Sequence, residues 1–255
     1  MKLSYNTETL FQGRNIVEVM KLLHEHGLDT IEFWSWKDKD LAAIRQLQME
    51  LGMNVATIVV SPSTMVEPER RDEALQALRE TAEAAKSLHC DTMVHTIGFE
   101  KEGLSRDEML QSLIDGLRAA IPILEQTGVT TAIEPLNTTI DRELSGYVLN
   151  TSQLAFDIVE EVNHPLVKVC YDMYHVQVME GNVLTRLQNH IRHVGHIQAA
   201  GAPGRHELYM SELNYDYVMD AIKQLQYNGY VGIEYFPIHD PLRDLIDLQQ
   251  RFHTG

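Results

Sequence analysis

Short runs rich in Val, Ile, Thr and aromatic residues alternate along this chain with longer stretches in which apolar residues recur every three or four positions. The first pattern predicts buried or half-buried strands, the second amphipathic helices. Strands are predicted over 2–6, 30–34, 54–60, 92–96, 130–134, 167–172, 193–198 and 232–235. Helices are predicted over 15–26, 39–51, 69–88, 106–126, 152–162, 183–189, 215–227 and 241–252. Local punctuation agrees. Gly27, Gly52, Gly128 and Gly229 each follow a helical run, where a left-handed cap favours glycine. Ser105-Arg106-Asp107-Glu108 has the spacing of a capping box, and Thr151 stands where an N-cap would open the next helix.

Eight strands in strict alternation with eight helices call for a parallel sheet with right-handed crossovers, and eight such units close into a single (β/α)8 TIM barrel. The rival, an open doubly wound sheet, normally carries a G-x-G-x-x-G turn after its first strand. Asn6-Thr7-Glu8-Thr9 is nothing like it. No linker, low-complexity tract or composition shift divides the chain, so 1–255 is expected to form one domain.

Barrels of this kind build their active sites at the C-terminal ends of the strands. The last four predicted strands end in oxygen-bearing side chains: Glu134, Asp172, Gln198 and Glu234. Adjacent strands lie about 4.8 Å apart, so inward-pointing side chains from such ends can converge on one point. Three carboxylates that close repel one another unless protonated or bridged by a cation. An all-oxygen set without thiolate suits a hard divalent ion, Mg²⁺ or Mn²⁺, better than structural Zn²⁺. A single strand-end Glu is usually solvated or paired with a Lys; matched positions on four successive strands are what carry this reading.

His175, three residues after Asp172, and Arg205, in the Gly/Pro-punctuated loop 200–207, are the candidate substrate contacts. A guanidinium can hold a carboxylate in a two-pronged grip. His95, at the end of the fourth strand, is expected to line the pocket or stand just behind it. Asn6, Glu32, Trp34 and Trp36 lie at the same end of the barrel and are weaker candidates, since aromatics there more often pack.

Charge narrows the partners. The chain has 37 acidic and 21 basic residues, a formal net charge of −16, and no basic run, which argues against nucleic acid. The longest apolar stretches, such as 55–60, are far short of the ~20 residues a membrane span needs. The N-terminus has neither a long apolar run nor a small-residue cleavage site, so no signal peptide is expected. Cys90 and Cys170 are the only cysteines; both are expected to be reduced and buried, which fits a cytoplasmic protein. A small-molecule substrate is the expected partner, and homo-oligomers are compatible with the sequence without being required by it.

At these residues the sequence resembles the hydroxypyruvate isomerase-like branch of the xylose isomerase-like TIM barrels, a superfamily that also includes ketose 3-epimerases. The resemblance covers essentially the whole chain. It is carried by Glu134-Pro135-Leu136-Asn137, Tyr171-Asp172-Met173-Tyr174-His175, Pro203-Gly204-Arg205-His206-Glu207 with Asn214-Tyr215, and Gly232-Ile233-Glu234-Tyr235. It implies that Glu134, Asp172, Gln198 and Glu234 hold a metal, with Glu134 and Glu234 the catalytic pair and His175 and Arg205 on substrate oxygens. In 3-epimerases the strand-seven ligand is typically histidine. Gln198 at that position points instead to the hydroxypyruvate isomerase-like branch.

The implied activity is aldose–ketose type isomerisation of a small hydroxy-oxo acid through an enediolate. Examples are hydroxypyruvate to tartronate semialdehyde, or a 2-oxo-tetronate from its 3-oxo isomer. Competing readings on this scaffold are a ketose 3-epimerase, a dehydratase of cyclic polyols, and a metal-dependent endonuclease, which needs several histidine ligands and a basic face. A non-catalytic sugar-binding barrel is the alternative of another class, and the intact carboxylate set argues against it.

Overall fold

The computed structural model describes residues 1–252, so the last three residues of the expected 1–255 domain lie outside the described residues. Eight parallel strands close into a barrel in sequence order: β1 (Lys2–Asn6), β2 (Thr30–Phe33), β3 (Asn54–Val59), β4 (Thr92–His95), β5 (Thr130–Ile133), β6 (Val167–Asp172), β7 (Val194–Ala199) and β8 (Tyr230–Ile233). β8 pairs with β1, so no edge is left open. The helices are α1 (Thr7–Leu10), α2 (Ile16–His24), α3 (Leu41–Leu51), α4 (Arg71–Ser87), α5 (Arg106–Thr127), α6 (Ser152–Val162), α7 (Met173–Met179), α8 (Val183–His190), α9 (Tyr215–Gln224) and α10 (Pro241–Phe252).

The capping box of Ser105 and Glu108 opens α5, and the Thr151 hydroxyl caps α6 by accepting from Leu154 N. Gly27, Gly52 and Gly128 take the left-handed conformation expected of them. Gly229 does not. α9 stops at Gln224 rather than running to 227, and the left-handed residue there is Gln226, at φ 54°. Gly229 is instead needed because the Tyr227 ring lies against its α-carbon, where a side chain would collide.

α1 and α7 were not expected from periodicity, which needs more than two turns to show. Each is opened by the last residue of the strand before it. The Asn6 side chain accepts from Glu8 N and Thr9 N, and the Asp172 side chain from Tyr174 N. Two polar residues at the barrel mouth therefore also fix the chain's exit from β1 and β6.

Alternation along the strands separates two interiors. Met93, Ile133, Val169, Tyr171, Ile197 and Ile233 join the large core between barrel and helices, packed with residues such as Leu78, Leu117 and Phe156. Full burial of each such aliphatic or aromatic side chain is worth on the order of 1.5–3 kcal/mol. Val94, Ala132 and Cys170 point the other way and form a small separate cluster inside the barrel.

A register shift between β6 and β7 pairs Val169 with Val194 but Cys170 with His196, leaving Gly195 as the extra residue. A Cβ on Gly195 would sit 2.8 Å from Lys168 Cβ, so the bulge requires glycine. The bulge turns His196 and Gln198 into the barrel. Cys90 and Cys170 are both buried and free, as expected. Among the described residues no helix is long and apolar enough to cross a membrane.

Candidate functional site

The inward-facing positions one step beyond the Val94–Ala132–Cys170 layer are Thr96, Glu134 and Asp172, joined by Asn6, Trp34 and Glu234 from the other strands. Glu134 and Glu234 lie just past β5 and β8 rather than inside them. Their amides still continue the ladders, to His95 O at 3.1 Å and Ala199 O at 3.0 Å. Glu134, Asp172 and Glu234 are 6%, 1% and 2% exposed. One ligating atom each of Glu134, Asp172 and His175 lie within 4.8 Å of one another.

Arg205 bridges the group, with Nη2 2.7 Å from Glu234 Oε2 and 3.5 Å from Asp172 Oδ2. Asn6 Nδ2 and Trp34 Nε1 both donate to Glu234 Oε1, at 2.9 and 2.5 Å. Of these, Trp34, Thr96, Glu134, His175, Arg205 and Glu234, with Val59, Leu136 and Leu144, line a cavity of about 270 Å³ at the barrel mouth.

The electrostatics are unbalanced. Burial pushes Glu134 well above the usual carboxylate range, and Glu234 and Asp172 push it further. Burial raises Glu234 to about 8; Arg205 and the Trp34 hydrogen bond pull against that rise, and Asp172 adds to it. Asp172 is raised too, burial outweighing Arg205 and the backbone N–H groups that support its anion. Ionised, the three carboxylates carry two more negative charges than Arg205 neutralises. A hard divalent cation answers both the charge and the donor chemistry.

His175 takes a different part. The backbone N–H of Asn137 points at its Nδ1 from 3.1 Å, and a backbone N–H can only donate. Burial, reinforced by Arg205, lowers the imidazole's pKa well below its usual value, so the ring is neutral. With Nδ1 accepting, the proton sits on Nε2, 3.4 Å from Asp172 Oδ2 and without a hydrogen-bond partner among the described residues. A protonated nitrogen cannot ligate a cation. His175 therefore presents a donor to the cavity, although its distances alone would admit it to a metal group.

The remaining expectations divide. Gln198 faces inward and is the Cα partner of Asp172, but it is opposite Gly232, two residues before Glu234, because the strands are staggered in a closed barrel. His95 is a correction. Its neighbour Val94 faces the barrel axis, so His95 faces the helix layer, where its Nδ1 lies 3.3 Å from Thr131 Oγ1 and burial lowers its pKa to about 4. Thr96, one residue on, lines the cavity instead. Trp36 also leaves the mouth, donating to Thr81 Oγ1 on α4 at 3.1 Å.

Glu32 lies beneath the cavity. It is fully buried and accepts from Ser4 Oγ (2.8 Å), His196 Nε2 (2.9 Å) and Gln198 Nε2 (3.1 Å). Burial alone would raise its pKa, but the His196 charge and these three hydrogen bonds win, and the net direction is down.

Sequence reading missed the loop contacts. Tyr147 ties the ends of β4 and β5, accepting from Ile97 N at 2.8 Å and donating to Glu134 O at 2.9 Å. Arg205 has a left-handed backbone, φ 57°. Its loop is stitched to the segment after β8: Phe236 N donates to Arg205 O (2.8 Å), His206 Nδ1 lies 2.8 Å from Phe236 O, and Ile238 N and His239 N both donate to Glu207 Oε1 (2.9 Å). Long-range pairs of this kind leave no local sequence pattern. The unusual Pro-Gly-Arg-His-Glu run was the only signal.

The family model for the xylose isomerase-like TIM barrel matches residues 20–252. The chain belongs to that family. Among xylose isomerase-like barrels, a Xenopus laevis protein named for hydroxypyruvate isomerase is 37% identical over 183 residues, 70% of this chain and 66% of that protein. The 2-oxo-tetronate isomerase of Cupriavidus necator is 41% identical over 124 residues, 49% of this chain and 46% of that enzyme. The aligned stretches thus span roughly half to two thirds of these two relatives. A crystal structure described as AP endonuclease, family 2, from Brucella melitensis has a TM-score of 0.92 and 27% identity, covering 99% of this chain and 100% of that one.

Proposed function

We propose that this xylose isomerase-like barrel is a metal-dependent isomerase of a small hydroxy-oxo acid. It would interconvert hydroxypyruvate and tartronate semialdehyde, or the corresponding 2-oxo and 3-oxo tetronates. The observation that carries the reading is the buried trio of Glu134, Asp172 and Glu234, under-neutralised by Arg205 and faced by the His175 Nε2–H. The names of the two isomerase relatives agree with it. Isomerisation of this kind, proton transfer from a hydroxyl-bearing carbon to the adjacent carbonyl carbon, needs this combination of acid–base groups and charge stabilisation.

Glu134, Asp172 and Glu234, with the carbonyl oxygen of Gln198, would hold the cation, and an all-oxygen set favours Mg²⁺ or Mn²⁺. The cation supplies Lewis-acid stabilisation of the negative charge that develops on substrate oxygen. One of Glu134 and Glu234 removes the proton from the hydroxyl-bearing carbon, giving an enediolate. The other returns a proton to the former carbonyl carbon. Donation from His175 Nε2–H supports the oxygen that becomes a hydroxyl, and its neutral state keeps it from competing as a cation. Arg205, whose buried Nε–H has no partner among the described residues, retains a donor for the substrate carboxylate.

The size of the cavity supports the substrate class. About 270 Å³ lies just below the ~300–1,000 Å³ of pockets for drug-sized ligands and suits a three- or four-carbon acid. Val59, Leu136 and Leu144 give it apolar walls that limit water around the enediolate. A net charge of −16 opposes an endonuclease reading, because a phosphate backbone would be repelled. Two buried free thiols fit work in a reducing, cytoplasmic compartment.

Proton NMR in D₂O tests the proposal, offering hydroxypyruvate, 2- and 3-oxo-tetronates and free ketoses with Mg²⁺ or Mn²⁺. The expected result is deuterium exchange at the hydroxyl-bearing carbon of an acid, together with signals of its isomer. Epimerised ketoses with inert acids would replace this reading by the 3-epimerase one.

A further inference from the structure

The layer beneath the site contains a buried carboxylate that the proposed reaction does not use. Glu32 occupies the barrel interior so fully that a Cβ on Gly232 of β8 would lie 2.5 and 2.6 Å from its two oxygens. Only glycine leaves that space. Ser4 and His196 both bond Oε2, so Oε1 is left to the Gln198 amide nitrogen.

An amide has one donating and one accepting end, and a carboxylate accepts only. Glu32 therefore decides which way Gln198 points. Its NH₂ must face Glu32, which leaves Oε1 to accept from the Cys170 thiol at 3.0 Å, in the layer directly beneath Asp172. Without Glu32 either end of the amide could face the mouth, and an NH₂ there would repel a cation.

We propose that Glu32, held by Ser4 and His196, is a positioning residue that claims the nitrogen of the Gln198 amide and so leaves its carbonyl oxygen, now at the Cys170 thiol, as the end available to a cation held by Glu134, Asp172 and Glu234. The inference rests on the reading of those carboxylates as a cation site. It assigns Glu32 no contact with substrate. It also gives a reason for the bulge at Gly195, which turns both His196 and Gln198 inward from one strand.

The test is the Mn²⁺ affinity of the metal-depleted full-length protein, followed by electron paramagnetic resonance of free Mn²⁺, with thermal melting in chelator as the control for folding. Wild type should bind one Mn²⁺. Glu32→Gln should weaken binding by roughly 10–100-fold, the usual effect of losing a group that orients a ligand. Gln198→Glu supplies a stronger ligand, yet should bind more weakly than wild type, because its carboxylate would face that of Glu32. The double variant Glu32→Gln/Gln198→Glu restores one amide against one carboxylate and should recover most of the loss.

Unchanged affinity in Glu32→Gln, tighter binding by Gln198→Glu, or a double variant as weak as Glu32→Gln would each overturn the assignment. Should Glu32→Gln fail to fold, Gln198→Glu decides alone. A wild-type protein that binds no Mn²⁺ overturns the metal reading itself and this inference with it. That result is distinct from a wild type that binds and variants that bind equally well.

Discussion

Two sets of buried carboxylates lie one layer apart in the same barrel, and they are treated in opposite ways. Glu32 receives three hydrogen bonds, one of them from a histidine, and its anion is favoured. Glu134 and Glu234 face each other and Asp172 with one guanidinium among them, and their anions are disfavoured. Burial is nearly equal in the two layers; what differs is whether the chain supplies the counter-charge. The lower layer is complete in itself. The upper layer leaves more negative charge than its guanidinium neutralises, and under the proposed function that separates a scaffold carboxylate from a reactive one.

The sharpest way to break the comparison is to neutralise one carboxylate in each layer. Glu134→Gln or Glu234→Gln should reduce turnover by at least about 10²–10⁴-fold, as the loss of a general acid or base does. Neither should destabilise the metal-free protein near neutral pH, since burial already disfavours each anion and an amide carries no charge. Glu32→Ala should instead lower unfolding free energy in urea by about 3–5 kcal/mol, because it leaves His196 and the Gln198 amide buried without their partner. If Glu32→Ala were neutral to folding and Glu234→Gln costly, the two layers would have to exchange roles.

Proton linkage gives a smaller effect of defined sign. Glu234 is raised from 4.5 to about 8 without metal, so the folded state holds a proton that the unfolded chain releases. Its stabilising contribution is present at acid pH and is lost as pH rises from about 4.5 through about 8. The melting temperature of the metal-free wild type, relative to Glu234→Gln, should fall across that window. Saturating Mn²⁺ should flatten the difference, because the cation takes over from the proton. The smallest effect is expected at His95, which faces the helices. His95→Leu should change melting but leave kcat/KM within about twofold, as substitutions away from a site usually do.

Much of this arrangement was legible in the sequence. Eight strand runs and their helices appear because burial imposes periods of two and 3.6 on side-chain polarity. The strand-end residues Glu134, Asp172 and Glu234 follow from the architecture. His95 was misplaced by one residue of parity, which a four-residue strand cannot reveal when both of its faces are buried. Glu32 was undervalued for a related reason. Its partners Ser4, His196 and Gln198 come from β1 and β7, and the bulge that turns the last two inward is visible only once the strands are paired. The tautomer of His175 likewise depends on a backbone N–H 38 residues away.

The stitching between the 205–207 loop and the 236–239 segment has a mechanical consequence. Arg205 and Glu234 are separate in the chain, yet the main chain of one is tied to the residues just after the other. The main chain that carries the guanidinium cannot shift without dragging the strand-eight carboxylate's anchor with it. Two stretches of the rim, after β7 and after β8, are thereby held in one register by bonds to main-chain atoms, and the spacing between the guanidinium and the carboxylate is inherited from the backbone.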